Sequence, residues 1–206
     1  MSDCGCGAEQ ADKLEKKTLR MLLAINAFMF VVELGLGWVA QSTGLIADSL
    51  DMLADAAVYG LSLYAVGKGV LRQAKAAHVS GVLQIILGLG VLFEVARRLM
   101  FGSEPQSVLI ITVGAVALLA NIMCLVLISK HKEGGVHMRA SWIFSTNDVI
   151  ANLGVIISGI LVAVIGSRIP DLVIGSIIAL VVIRGGVKIL QDAKATRSAA
   201  SRVDLR

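Results

Sequence analysis

Residues 45–66 read LIADSLDMLADAAVYGLSLYAV, and this stretch decides the fold. Its length and apolar content are those of a bilayer-crossing helix, which takes roughly 20 residues at about 1.5 Å each. Yet it carries three acids, Asp48, Asp51 and Asp55. Their i, i+3, i+7 spacing puts all three on one helical face. A carboxylate at mid-bilayer costs on the order of 2.5–3.5 kcal/mol even on lenient insertion scales. A face with three of them has to look into a helical bundle.

The rest of the chain agrees with a bundle in a membrane. Of its 206 residues, 56% are hydrophobic and 17% charged, with mean hydropathy +0.82. Soluble domains are about 45–50% apolar. The charges crowd the two ends and a few short breaks, leaving long apolar runs between them. These runs do not alternate with period two, which disfavours a porin-like barrel. The expected fold is therefore an all-α polytopic membrane protein with six transmembrane helices. The spans are Thr18–Ala40, Gly44–Val66, Ala76–Met100, Ser107–Ser129, Met138–Gly166 and Asp171–Leu190. Breakers separate them, among them Gly102-Ser103-Glu104-Pro105, Gly134-Gly135 and Ser167-Arg168-Ile169-Pro170. The domain reading is a polar N-terminal tail (1–17), a six-helix transmembrane domain (18–190) and a short basic tail (191–206). The polar first 17 residues do not form a cleavable signal peptide.

Lys and Arg set the orientation. One side of the bundle collects Lys13, Lys16, Lys17 and Arg20, then Lys68, Arg72 and Lys75, then Lys130, Lys132 and Arg139. The same side also has Lys188, Lys194, Arg197, Arg202 and Arg206, whereas the other side has only Arg97, Arg98 and Arg168. Both termini are thus expected in the cytoplasm, as an even number of spans requires. The net charge of +4 belongs to this topology, and with 4% aromatics no base-stacking surface is expected, so nucleic acid is excluded as a partner. The lipid bilayer is the partner that composition demands. Three cysteines, Cys4, Cys6 and Cys124, make no disulfide framework.

Other spans contribute polar groups. Asn26 and Glu33 lie seven apart in span one. Gln84 and Glu94 lie in span three and Asn121 in span four. In span five Ser141, Ser145, Asp148 and Asn152 share a face, with Thr146 and Asn147 beside them. Spans two and five thus each present an oxygen-rich stripe. Pairs at one-turn spacing, Asp51/Asp55 and Asp148/Asn152, can converge on one hard or borderline divalent cation, which would relieve repulsion among the acids. Lone Asn or Ser residues in such spans are commonly hydrogen-bonding glue between helices, whereas intramembrane acids indicate function. Asp48 lies nearer the outer mouth, with an N-cap, a vestibule role and metal contact all open.

These residues resemble the cation diffusion facilitator family, proton-coupled exporters of zinc and related divalent metals. The window Ser42-Thr43-Gly44-Leu45-Ile46-Ala47-Asp48-Ser49-Leu50-Asp51-Met52-Leu53-Ala54-Asp55 is similar to the family's second helix. There an Asp or His is followed by Asp four residues later, and Asp51 and Asp55 match. On the fifth helix Asp148 matches the second ligand, while Phe144 stands where a His or Asp is expected. Pro170-Asp171, opening the sixth helix, and Glu94 to Arg98 also resemble the family. The resemblance covers nearly all of residues 18–190. It implies metal binding by Asp51, Asp55 and Asp148, with metal and protons exchanged at these carboxylates and no ATP site or organic cofactor. It also implies a bacterial inner-membrane location.

There are two departures. Phe144 has no lone pair, so a fourth ligand must come from Asn152, Ser145, Asn147 or water. That opens selection beyond zinc to cobalt, manganese, iron or cadmium. The family usually carries a soluble domain after helix six, whereas this sequence stops within 16 residues of Leu190. A homodimer would then form through the transmembrane helices, with Gly154/Ser158 and Gly159/Ala163 as small pairs allowing close approach. Further from the stripes, Cys4 and Cys6 offer two thiolates for metal delivery, and His131 and His137 offer a cytoplasmic entry site; an unliganded tail and solvated loop histidines are the plain alternatives. The chain is expected to be a divalent-metal efflux transporter and not an enzyme. The alternative is a non-transporting membrane subunit or metal-sensing partner of a full-length transporter. An intramembrane aspartyl protease is disfavoured, because no GxGD stretch surrounds the acids.

Overall fold

The structure is a computed structural model that describes residues 4–65, 70–129 and 136–203. It contains six helices: α1 (Cys4–Val39), α2 (Thr43–Ala65), α3 (Val70–Phe101), α4 (Ser107–Ser129), α5 (Val136–Ile165) and α6 (Ile169–Val203). No strand occurs among the described residues. Five of the helices are long and apolar enough to cross a membrane; α2, with its three acids, is the exception.

α2 is also the helix that the others surround. It packs against all five other helices, whereas among the described residues α1 touches only α2 and α4, and α3 only α2 and α6. Small residues permit this crowding. A Cβ on Gly37 of α1 would lie 2.9 Å from the Leu45 Cβ, and one on Gly175 of α6 would lie 2.9 Å from Thr43 Cγ2. α3 and α6 meet in the same way through Gly81 and Gly186, where a Cβ on either would come within 2.8 Å of the other's carbonyl oxygen.

Burial is inverted relative to a soluble protein. Large apolar side chains point outward, with Phe93 73%, Met100 78% and Val164 78% exposed. Polar ones point inward, including Asn26, Glu33, Asp48, Asp55, Gln84, Asn121, Asn152 and Asp171. That is the arrangement lipid demands, since hydrocarbon solvates the outer face and cannot solvate the inner one. Two apolar clusters close the interior from either end. One joins Leu45, Ala47, Val91, Ile110, Val155 and Leu172. The other joins Leu19, Leu22, Tyr59, Cys124 and Ile128.

The α1–α2 turn is fixed by polar contacts. Gln41 takes a positive φ of 49°. Its carbonyl accepts from Arg98 Nη1, and its Oε1 accepts from the Glu104 amide at 3.0 Å. Arg98 is itself held by Glu94 at 2.6 Å. The end of α3 is thereby tied to the start of α2.

Helix ends differ from the sequence reading. Residues 191–203, expected as a tail, continue α6, and residues 4–17 continue α1 into the polar N-terminus. Hydropathy marks where a helix leaves hydrocarbon, not where it stops. The segment after Leu190 contains no Gly or Pro to end it. Of the small residues expected to form a dimer surface, Gly154, Ser158 and Gly159 pack within the chain, whereas Ala163 is exposed. Gly159 packs on Ile110 of α4, where an added Cβ would lie at 2.8 Å, and Gly154 faces Ile174 of α6. Ser158 is fully buried.

Candidate functional site

The site begins with the placement of α2. Ser42 precedes the helix, and its Oγ accepts from the Leu45 amide at 3.1 Å, a normal N-cap bond. Asp171, in the first turn of α6, reaches the same helix end. Its carboxylate accepts from Ser42 Oγ at 2.5 Å, from the Thr43 amide at 2.5 Å and from the Gly44 amide at 3.1 Å. A carboxylate suits this position because unpaired N–H groups and the helix dipole make the N-terminus positive. With the start fixed, Asp48, Asp51 and Asp55 lie about 8, 12 and 18 Å along the helix axis from Thr43.

α5 runs antiparallel beside this stripe, giving two layers of polar contact. In the deeper layer Asp55 and Asp148 come within side-chain hydrogen-bonding reach across the two helices. Tyr59 and Cys124 flank Asp55. Asn26 of α1 holds this wall by donating to the Leu22 carbonyl at 2.9 Å and to Cys124 Sγ at 3.7 Å. In the layer nearer the α1–α2 turn, Asn152 Nδ2 donates to Asp48 Oδ1 at 3.4 Å. It also donates to the Asp148 carbonyl at 3.0 Å. Glu33 of α1 comes within side-chain hydrogen-bonding reach of Asp48. Asp51 lies between the layers, partly buried and within electrostatic range of both Asp48 and Asp55.

Among the described residues, no basic side chain neutralises these acids. The charged groups acting on Glu33, Asp48, Asp51, Asp55 and Asp148 are other acids. Both oxygens of Glu33, Asp48 Oδ2 and Asn152 Oδ1 are buried without a hydrogen-bond partner. Buried carboxylates so placed must carry protons or hold a positive ion. Among the described residues, no three of His, Cys, Asp or Glu are already gathered tightly enough to grasp one ion. The acids stand as adjacent pairs along a line.

The structure places Asp51, Asp55 and Asp148 within electrostatic range of one another between α2 and α5. Sequence and structure differ on Asp48, which the sequence puts nearer the mouth. It is 1% exposed and lies in the interior, because α1 and α5 close over it. Asn152, expected beside Asp148, donates to the Asp148 carbonyl and also reaches the Asp48 carboxylate. The side chains of Phe144, Ser145, Asn147, His137, Cys4 and Cys6, and all of His131, lie outside the described residues. Two further residues belong here that the sequence does not single out as participants. Glu33 carries a signal, being the sole acid in an apolar span. Asp171 carries one in its place just after Pro170 at a helix start.

Comparison with known proteins shows what the chain is similar to. Residues 19–195 match the family model described as the cation efflux transmembrane domain. The chain is 24% identical over 189 residues to "Zinc transporter ZitB" of Yersinia pseudotuberculosis, covering 85% of this chain and 61% of that protein. It is 23% identical over 195 residues to the "Cadmium, cobalt and zinc/H(+)-K(+) antiporter" of Bacillus velezensis, covering 86% and 61%. It is 22% identical over 177 residues to "Metal cation efflux system protein CzcD" of Cupriavidus metallidurans, covering 80% and 56%. The chain therefore spans about three fifths of the length of these relatives. With its apolar helices and a family match over most of its length, it is a multi-pass integral membrane protein that belongs to the cation efflux, or cation diffusion facilitator, family.

Proposed function

We propose that the protein exports divalent transition-metal cations, zinc or a related ion, in exchange for protons. One observation carries this reading: Asp55 of α2 and Asp148 of α5 come within side-chain hydrogen-bonding reach inside the bundle, with no basic partner among the described residues. Carboxylates so placed bind a proton or a metal ion at the same oxygens, and competition between the two couples their movements. Asp51, Asp55 and Asp148 would hold the ion, with water completing the shell. The names of the relatives, zinc transporter and cadmium, cobalt and zinc antiporter, favour this substrate class.

The apolar clusters on either side of the acids suit a carrier that opens to one side at a time. Rocking of α1, α2, α4 and α5 against α3 and α6 would part the first cluster, which bridges the two groups, while the second, carried on α1, α2 and α4, moves as one piece. The extensive α3–α6 contact through paired glycines makes a rigid unit for that motion. We place all six helices across the bilayer, α2 being sheltered by its five neighbours, with both termini cytoplasmic by the distribution of Lys and Arg. The membrane is then the bacterial inner membrane.

The test is flux. Purified protein in vesicles should move zinc against an imposed pH gradient. Asp55→Ala and Asp148→Ala should each abolish that movement while leaving a folded, monodisperse protein. Normal flux by both variants would refute the site.

A further inference from the structure

We propose that Glu33, Asp48 and Asn152 form a second divalent-cation station, built of oxygen donors only, between the Asp55–Asp148 pair and the α1–α2 turn. The inference rests on the metal-carrier reading above and adds a site to it. Asp48 precedes Asp55 by seven residues, about 10 Å along α2, so the two stations take separate ions.

Three observations carry it. Glu33 is fully buried at 0% exposure, yet neither of its oxygens has a hydrogen-bond donor. Asp48, 1% exposed, stands against it with Oδ2 also without a donor. The third is independent of the acids. Asn152 is 0% exposed, its carboxamide is set against Asp48, and its Oδ1 has no partner. Buried amide oxygens are nearly always satisfied, so an orphan beside two orphan carboxylates marks a place where something positive binds.

The carboxamide provides for both states. Without an ion, Nδ2 donates to Asp48 Oδ1 at 3.4 Å. A half-turn of the amide exchanges its nitrogen and oxygen and turns Oδ1 toward the carboxylates. Two carboxylates, an amide oxygen and water make a donor set for hard ions such as manganese(II), with no thiolate or imidazole to favour softer ones. Both stations lie on the α2 stripe, so an ion leaving Asp51, Asp55 and Asp148 toward the α1–α2 turn reaches this station next.

Equilibrium dialysis of the purified full chain against manganese(II) tests this. The probe is chosen because it avoids the cysteines. Wild type should bind two ions, Glu33→Gln one and the Asp55→Asn/Asp148→Asn double variant one. Unchanged stoichiometry and affinity in Glu33→Gln would overturn the second station and leave the first standing. Two ions retained in the double variant would overturn the transport site and leave this one standing. Asn152→Asp covers the case of a misfolded Glu33→Gln, because it adds a donor at the orphan amide. It should tighten the weaker of the two bound ions at least tenfold, and no tightening would overturn the proposal.

Discussion

Asp171 and Glu33 are both completely buried carboxylates, and they do opposite things. Asp171 accepts from Ser42 Oγ and from the Thr43 and Gly44 amides, so its charge is committed to the start of α2. Glu33 accepts from nothing, and the charged groups near it are Asp48 and Asp51. Burial alone therefore does not mark a functional acid in this bundle. The partner census does. A carboxylate with donors is architecture, and one among other carboxylates is waiting for a proton or a metal.

The two kinds of acid should break differently. The largest effect is on function. Asp55→Ala or Asp148→Ala should lower metal flux in vesicles to the level of empty vesicles. Each should leave thermal stability equal or higher, because it removes a like charge from a pair with no cation. Asp171→Ala should do the reverse to the fold. It strips three hydrogen bonds from a helix start and leaves buried donors unsatisfied, a loss of about 3 kcal/mol. Thermal unfolding in detergent reads that loss, and Asp171→Asn should recover part of it. Gly175→Val should cost about 1–3 kcal/mol by the same assay. An added Cβ there meets Thr43 Cγ2 at 2.9 Å and the Thr43 backbone at 3.0 Å, so α6 is pushed from the capped end of α2. The smallest change is on the lipid face. Phe93→Leu, at a side chain 73% exposed, should shift stability by less than about 0.5 kcal/mol and leave flux unchanged.

Much of the fold is legible in the sequence because the signals are local. Apolar runs of bilayer length, separated by Gly and Pro, mark six helices in the right order. The acid spacing of α2 and the polar face of α5 identify the two helices that face each other. What stays hidden depends on long-range pairing. Ser42 and Asp171 are 129 residues apart, so nothing near either shows that a carboxylate of α6 caps α2. Asp48 and Asn152 are 104 apart, and both helical stripes are long enough to slide by a turn. That slide decides whether the Asn152 amide reaches the Asp48 carboxylate at all. Glu33 is visible as an intramembrane acid, but its neighbour depends on how closely Gly37 lets α1 approach α2. Gly154 and Gly159 of α5 look equally suited to an external helix, and only packing assigns them to Ile174 and Ile110.

The central claim is that the partnerless acids exchange protons for metal. Counting protons tests it most directly. Zinc added to the purified protein in weakly buffered detergent solution should release protons in proportion to the metal bound. The release should fall in the Asp55→Asn/Asp148→Asn variant and persist in Asp171→Asn. Zinc binding with no proton release at any pH where the protein is folded, or release undiminished in the double variant, would contradict the account.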